Sequence, residues 1–365
     1  MRRHLVLSGY YGYGNAGDEA ILAAVVQSLR QVIPQLRLTA LSADPEQTRR
    51  LHGIDSVKRD RWPEVCRALR LSDGLVSGGG GLLQDASGPL TIPYYLGVMR
   101  LAGLLRKPVF IYAQGIGPVR RKAFQRLIVH TLRRSAYVSV RDADSRRLLT
   151  RWGWSGPSVE VVSDPAFSLP PADGGQGAAL WRQVGVDPAR PILAFNLRPF
   201  AAPSAQWAQV LAQVMDVWTQ RGVQVVGLPM QRKQDLPVLA QVLSCMRSSA
   251  LLLEEELSFA QKRALLGSSH LVVAMRLHAL AFAAQHGVPL LGIAYDPKVS
   301  ALLDALAQPS FSPQALHPER LLARLELLWE ERGRVGALLR ERAEEMSLRA
   351  QIPSQRLAEA LASNR

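Results

Sequence analysis

Short apolar runs alternate with longer amphipathic stretches along most of the chain. The β-type runs are His4–Ser8, Arg37–Leu41, Gly74–Ser77, Val109–Ala113, Tyr137–Val140 and Val159–Val162. Helical patterns lie between them, as in Glu19–Ile33 and Phe124–Arg134. Pro170–Gly177 is a turn-rich linker. The alternation then restarts with Ile192–Asn196, Val223–Leu228, Leu251–Leu253, Leu271–Ala274 and Leu290–Ile293. Beyond Ser312 only helical patterns remain, including Pro318–Arg332 and Arg334–Arg349. Near-continuous apolar strands separated by helices predict parallel sheets covered on both faces. The expected fold is α/β, with two Rossmann-like domains facing across a cleft. The expected boundaries are 1–170 and 171–311, with 312–365 as a helical brace. Ligands in such sheets sit beyond the carboxyl ends of the strands, and every motif below falls at such an end.

Composition narrows the class. Hydrophobic residues make up 48% and charged residues 20% of the chain, which excludes disorder as the dominant state. Cys66 and Cys245 stand far apart, so neither a disulfide framework nor a cysteine zinc site is expected. No His pairing has metal-ligand spacing. The first residues read as a strand rather than a signal peptide, and no apolar run approaches the ~18 residues of a membrane span. A cytoplasmic setting is the simplest expectation.

Charge adds an anionic partner to the picture. The formal net charge is +14, and residues 1–170 hold 24 Lys and Arg against 13 Asp and Glu. Arg120–Arg134 predicts a helix with an apolar stripe of Phe124, Leu127, Ile128 and Leu132. Its Arg-rich outer face suits anionic lipid or a lipid diphosphate on the inner membrane face, which makes peripheral membrane contact a further expectation. Aromatic residues are only 6% of the chain, and no nucleic-acid motif accompanies the charge, so no nucleic-acid partner is expected.

The candidate chemistry lies in five loops. Gly9–Glu19 follows the first strand and precedes the first helix, where glycines let backbone amides approach a phosphate or sugar. Tyr11 and Tyr13 in that loop suit stacking on a sugar face or packing against the second domain, and Asp18 and Glu19 suit capping of the helix. Gly78–Gly81 supplies more glycine than a turn needs, and the surplus points to a backbone surface against which a ligand or the opposite domain closes. Gln114–Pro118 is a third loop. Arg141 follows the strand Tyr137–Val140, with Asp142 and Asp144 as local partners if it is not a ligand contact. Met275-Arg276-Leu277-His278 joins a buried strand to an apolar helix. Charge beside a buried strand is unfavourable unless something anionic compensates it. Adjacent parallel strands would place Lys298, of Tyr295-Asp296-Pro297-Lys298, beside Arg276 and His278.

Gly9–Leu22, Gly78–Gly81 with Gln84-Asp85, Gln114–Pro118, Ser139–Asp142, Met275–Leu280 and Tyr295–Val299 together resemble the polysaccharide pyruvyl transferase family, in particular its bacterial cell-wall branch. The resemblance runs in order from residue 9 to about 299. It implies a fold similar to two-domain glycosyltransferases of the B type. It also implies transfer of the pyruvyl group of phosphoenolpyruvate to two sugar hydroxyls, giving a pyruvate ketal and phosphate. The implied acceptor is a lipid-linked or polymeric cell-envelope glycan, with no cofactor and no metal. By motif, Arg141, His278 and Lys298 match the essential residues. Arg276 matches a donor-binding arginine, with Lys298 and Arg141 as further donor cations. The acceptor candidates are Tyr11, Tyr13, Asn15, Asp18, Gly79, Gly80 and Gln84. Many relatives carry a His in the loop Leu228–Asp235, where this chain has Gln231. The residue chemistry agrees, since a phosphate and a carboxylate call for several cations and proton transfer calls for a His. Whether His278 serves as acid or base stays open. Two other readings are a nucleotide-sugar-dependent glycosyltransferase of the same fold and a non-catalytic glycan- or membrane-surface-binding protein. The last would not need Arg276, His278 and Lys298.

Overall fold

The computed structural model describes residues 3–85, 88–156, 158–200 and 206–363. It divides into two α/β units. Unit 1 comprises residues 1–14, 18–169 and 346–365, and unit 2 comprises residues 15–17 and 170–345.

Unit 1 is built on seven parallel strands: β1 (His4–Tyr11), β2 (Arg37–Ser42), β3 (Asp55–Lys58), β4 (Gly74–Gly78), β5 (Val109–Gln114), β6 (Tyr137–Val140) and β7 (Glu160–Val161). Their order is β3-β2-β1-β4-β5-β6-β7. The strand sequence reverses direction between β1 and β4, which is the switch point where this class of sheet opens a crevice. β4 and β5 are buried at every position, as expected for a sheet covered on both faces. The helix Thr91–Leu104 lays Ile92, Tyr95, Leu96 and Met99 into the same core as Val6, Leu75, Ile111 and Val138.

Unit 2 repeats the scheme with β8 (Ile192–Asn196), β9 (Gln224–Gly227), β10 (Leu251–Leu252), β11 (Leu271–Ala274), β12 (Leu290–Ile293) and β13 (Ser310–Phe311). The order is β10-β9-β8-β11-β12-β13, all parallel, with the switch between β8 and β11. Two helices follow, Pro318–Glu330 and Arg332–Ser363.

Several expectations need correction. β3 and β13 are sheet-edge strands that the apolar pattern does not reveal. The linker is shorter than Pro170–Gly177, because a helix occupies Gly174–Gln183. Asp173 caps it by accepting from the Gly175 amide, and Trp181 on it is fully buried. The basic helix begins at Lys122 rather than Arg120 and ends at Leu132, since the Arg120 and Arg121 amides are held outside it by Asp85 at 2.9 and 3.2 Å. Of its expected stripe, Ile128 and Leu132 are buried, while Phe124 and Leu127 pack against the core partly exposed.

Candidate active site

In unit 1 the loops after β1, β4, β5 and β6 carry the candidates. The glycine run follows β4 at the switch point. Gly78 and Gly79 have φ of +142° and +86°. A Cβ on Gly78 would lie 2.2 Å from the Tyr112 carbonyl oxygen, and one on Gly79 would lie 2.4 Å from Ile21. Internal packing is therefore reason enough for glycine at these two positions. Gly80 faces Asp18, with 3.2 Å from the Cβ position to Oδ1, and Gly81 faces Arg141.

Arg141 is nearly enclosed. Its Nη1 lies 3.3 Å from Asp164 and its Nε 3.6 Å from Asp142. Its guanidinium rests on Gly115, where a Cβ would lie 2.8 Å from Cζ. Asp164 also caps the short helix Pro165–Ser168 through the Ala166 amide at 3.0 Å. Asp144 bonds Arg147 instead. The local pairing of Arg141 is thus with Asp142 and Asp164. Gln84 is half-buried in a segment that runs alongside Gly115–Pro118, with Leu83 bridged to Ile116.

The two loop tyrosines separate. Tyr11 ends β1 and is 3% exposed. Its ring folds over Gly9, where a Cβ would meet Cζ at 2.2 Å. Burial drives its phenol pKa far above the usual value. Tyr11 is thus the last residue of the strand and packs inward, which corrects its placement in the loop after the strand. Tyr13 is 42% exposed and stacks on Tyr10 at 4.1 Å and 11°. Beside it lies a cluster that the sequence reading missed. The Arg59 guanidinium stands 4.1 Å from the Tyr94 ring centroid, 5.3 Å from Tyr95 and 5.4 Å from Tyr13. Glu19 is buried rather than a simple surface cap. It accepts from the Gly12 amide at 2.9 Å and pairs with His52 at 2.8 Å.

In unit 2 the switch point is filled by Asn196 and Arg276. The Asn196 carbonyl accepts from the Met275 amide, and its side chain accepts from the Arg276 amide. Arg276 precedes the helix Leu277–Gln285 and turns its guanidinium onto Asp235, with Nε 3.1 Å from both carboxylate oxygens. Its Nη2 also donates to Gln231 and Gln234 at 3.3 and 3.2 Å. Asp235 is fully buried and further accepts from the Met230 and Gln231 amides and from Asn196. The anion that compensates this buried cation is therefore the protein's own. Gln231 touches Arg276.

His278 is the second residue of that helix, half-buried, with its ring 6.3 Å from Phe282. Asn15 accepts from the Gly17 amide at the start of the helix Ala16–Val32. These residues belong to unit 2, where the Ala16 amide donates to Met230 at 3.1 Å. A Cβ on Gly17 would lie 2.1 Å from His278 Nδ1, so glycine is required there. β11 and β12 are neighbours as expected. Lys298 sits in the first turn of the helix Pro297–Ala305. Its ammonium lies 3.5 Å from Asp296 and 5.9 Å from the Tyr295 ring centroid, and Tyr295 accepts from Arg198 at 2.8 Å.

Lys262 is a second feature that the sequence reading missed. It is buried on the helix Phe259–Gly267 and donates to the Met230 carbonyl at 3.3 Å. Burial pushes its pKa down from 10.5 to about 8, with Arg276 acting in the same direction and Asp235 against it. The unfolded chain then binds more protons than the folded one between these values, so stability rises with pH across that window. Below pH 8 both states are protonated and the full penalty of burying the charge is in place. Thermal melts from pH 7 to 10 should show wild type gaining on Lys262→Met as pH rises, and parallel curves would remove Lys262 as the cause.

The family model for polysaccharide pyruvyl transferase matches residues 15–297. The amylovoran biosynthesis protein AmsJ of Erwinia amylovora is 21% identical, over 84% of this chain and 87% of that protein. Among solved structures, Staphylococcus aureus MnaA in its UDP co-structure superposes with a TM-score of 0.66 at 10% identity, covering 97% of this chain and 94% of that one. Anabaena HepE in complex with UDP-glucose gives 0.65 at 14% identity, over 99% of both chains. These likenesses show two parallel-sheet α/β domains of the glycosyltransferase B type with C-terminal helices.

Proposed function

The chain belongs to the polysaccharide pyruvyl transferase family, and from that premise we propose that it uses phosphoenolpyruvate to place a pyruvate ketal on a cell-envelope glycan. The observation that carries this reading is the Arg276–His278 junction. It sets a guanidinium, a helix N-terminus and an imidazole beyond β11, at the switch point of unit 2. A helix N-terminus and a guanidinium both favour an anionic donor. The bonds from Arg276 to Asp235, Gln231 and Gln234 fix the direction of the guanidinium before any donor arrives. Arg141 and Lys298 are the further cations of this reading, each already oriented by carboxylates. Tyr13 offers the exposed ring for an acceptor sugar.

The chemistry balances without a cofactor. One sugar hydroxyl adds to C2 of the donor while a proton adds to the methylene carbon and makes it a methyl group. Phosphate then leaves C2, and the second hydroxyl adds there and loses its proton. Two hydroxyl protons are removed; one is used on the methylene carbon and the other leaves with the phosphate as hydrogen phosphate. A residue that exchanges protons near neutral pH serves these steps, and His278 is that residue at the junction. The experiment is phosphate release by the purified protein in the presence of a chelator. We expect release only when phosphoenolpyruvate and a glycan acceptor are both supplied. Turnover of UDP-glucose with phosphoenolpyruvate left intact would favour a nucleotide-sugar glycosyltransferase instead.

A further inference from the structure

Unit 1 has a cavity of about 730 Å³ at the amino-terminal edge of β5, the opposite end of that sheet from Arg141 and the glycine run. It lies between the ends of the helices Thr91–Leu104 and Lys122–Leu132. Its volume is within the roughly 300–1,000 Å³ of small-ligand pockets. Arg100, Arg106, Lys107, Arg134 and His130 line it together with Met99, Leu104 and Val109, and no carboxylate does. Thr131 is also in the wall. Its hydroxyl is buried and makes no hydrogen bond among the described residues. At the rim Leu104 is 82% exposed. Lys107 donates to the Ser72 carbonyl at 2.6 Å, which ties the rim to Leu71, itself 65% exposed. Among the described residues no helix is long and apolar enough to cross a membrane.

Leu104 at the rim of a cation-lined cavity, with the exposed Leu71 next to the residue that Lys107 bonds, matches the two layers of an anionic bilayer surface. Cations meet lipid phosphates, and apolar side chains enter the acyl boundary. We propose that this face docks on an anionic membrane. One phospholipid would place its phosphate among Arg100, Arg106 and Arg134, with the start of an acyl chain in the cavity. The buried Thr131 hydroxyl is then an available donor to the headgroup. Docking through this edge leaves the carboxyl ends of the same strands turned away from the lipid. The inference stands whatever the donor of the reaction is.

The test is cosedimentation of the full chain with phosphatidylcholine vesicles, with and without phosphatidylglycerol. Wild type should bind only the anionic vesicles. A cation near such a surface is worth roughly fivefold in affinity, so Arg100→Glu/Arg134→Glu should weaken binding at least about tenfold. Arg182→Glu/Arg320→Glu makes the same change in net charge at exposed sites of unit 2 and should stay within about twofold of wild type. Leu104→Ser, at a position too exposed to support the core, should weaken binding several-fold. Inorganic phosphate should displace the protein no better than sodium chloride of equal ionic strength. Equal losses in the two charge variants, or unchanged binding by Leu104→Ser, would overturn the proposal. So would displacement specific to phosphate, which would assign the cavity to the free anion.

Discussion

Replacing His278 with alanine should lower turnover by about 10²–10⁴ and leave donor affinity close to wild type. The separation of effects follows from the site. In the proposed reading the donor anion meets the Arg276 guanidinium and the amides that open the helix Leu277–Gln285, and His278→Ala removes neither. It does remove an imidazole from a place where protons must reach carbon and leave two hydroxyls. Alanine suits a helix, so the fold should survive. Calorimetry with phosphoenolpyruvate, beside initial rates at saturating donor and circular dichroism, makes the comparison. Loss of donor binding with turnover largely retained would reverse the roles assigned to His278 and Arg276.

Asp235→Ala should destabilise the protein by about 3–5 kcal/mol, the usual penalty for leaving a buried charge without its partner. In a melt this corresponds to a drop of roughly 6–20 °C. The carboxylate is fully buried, and it holds the Arg276 guanidinium, two backbone amides and Asn196 together. Arg276→Ala should be similarly harmful, because it strands the carboxylate. The variant Asp235→Leu/Arg276→Met should recover much of the loss, since an apolar pair of similar volume often replaces a buried ion pair at little cost. It should remain inactive. A shift below about 1 kcal/mol for Asp235→Ala would mean that Arg276 finds solvent readily and that Asp235 does not fix it.

The strands that the sequence made legible are those whose apolar runs end at clear punctuation. Ile192–Asn196, Leu271–Ala274 and Leu290–Ile293 coincide with β8, β11 and β12. Asp55–Lys58 escaped because an edge strand pairs on one side only and keeps polar residues, so Asp-Ser-Val-Lys has no apolar run to read. The helix Gly174–Gln183 escaped because three glycines in its first turn outweigh its pattern locally, and only the burial of Trp181 explains it. At the site, strand-end position was readable but pairing was not. The partner of Arg276 lies 41 residues earlier in the chain, and nothing in Gln-Arg-Lys-Gln-Asp marks Asp235 as buried. Lys262 likewise stands in Phe-Ala-Gln-Lys-Arg, which reads as a solvated helix face until the fold covers it. Tyr11 and Tyr13 look equivalent in sequence, yet one turns inward and the other outward, as alternation along an extended chain cannot by itself decide where a strand gives way to a loop.

Transfer of the donor's carbon skeleton is the most direct thing to observe. The purified protein would be incubated with an envelope glycan fraction and phosphoenolpyruvate labelled with carbon-13 at C2, and the glycan examined by NMR. A labelled quaternary carbon bonded to a methyl group, a carboxylate and two sugar oxygens is the expected product. It should be absent with His278→Ala and formed together with phosphate. Label that stays in phosphoenolpyruvate, ends as free pyruvate, or reaches the glycan through a single oxygen would contradict a ketal-forming transferase.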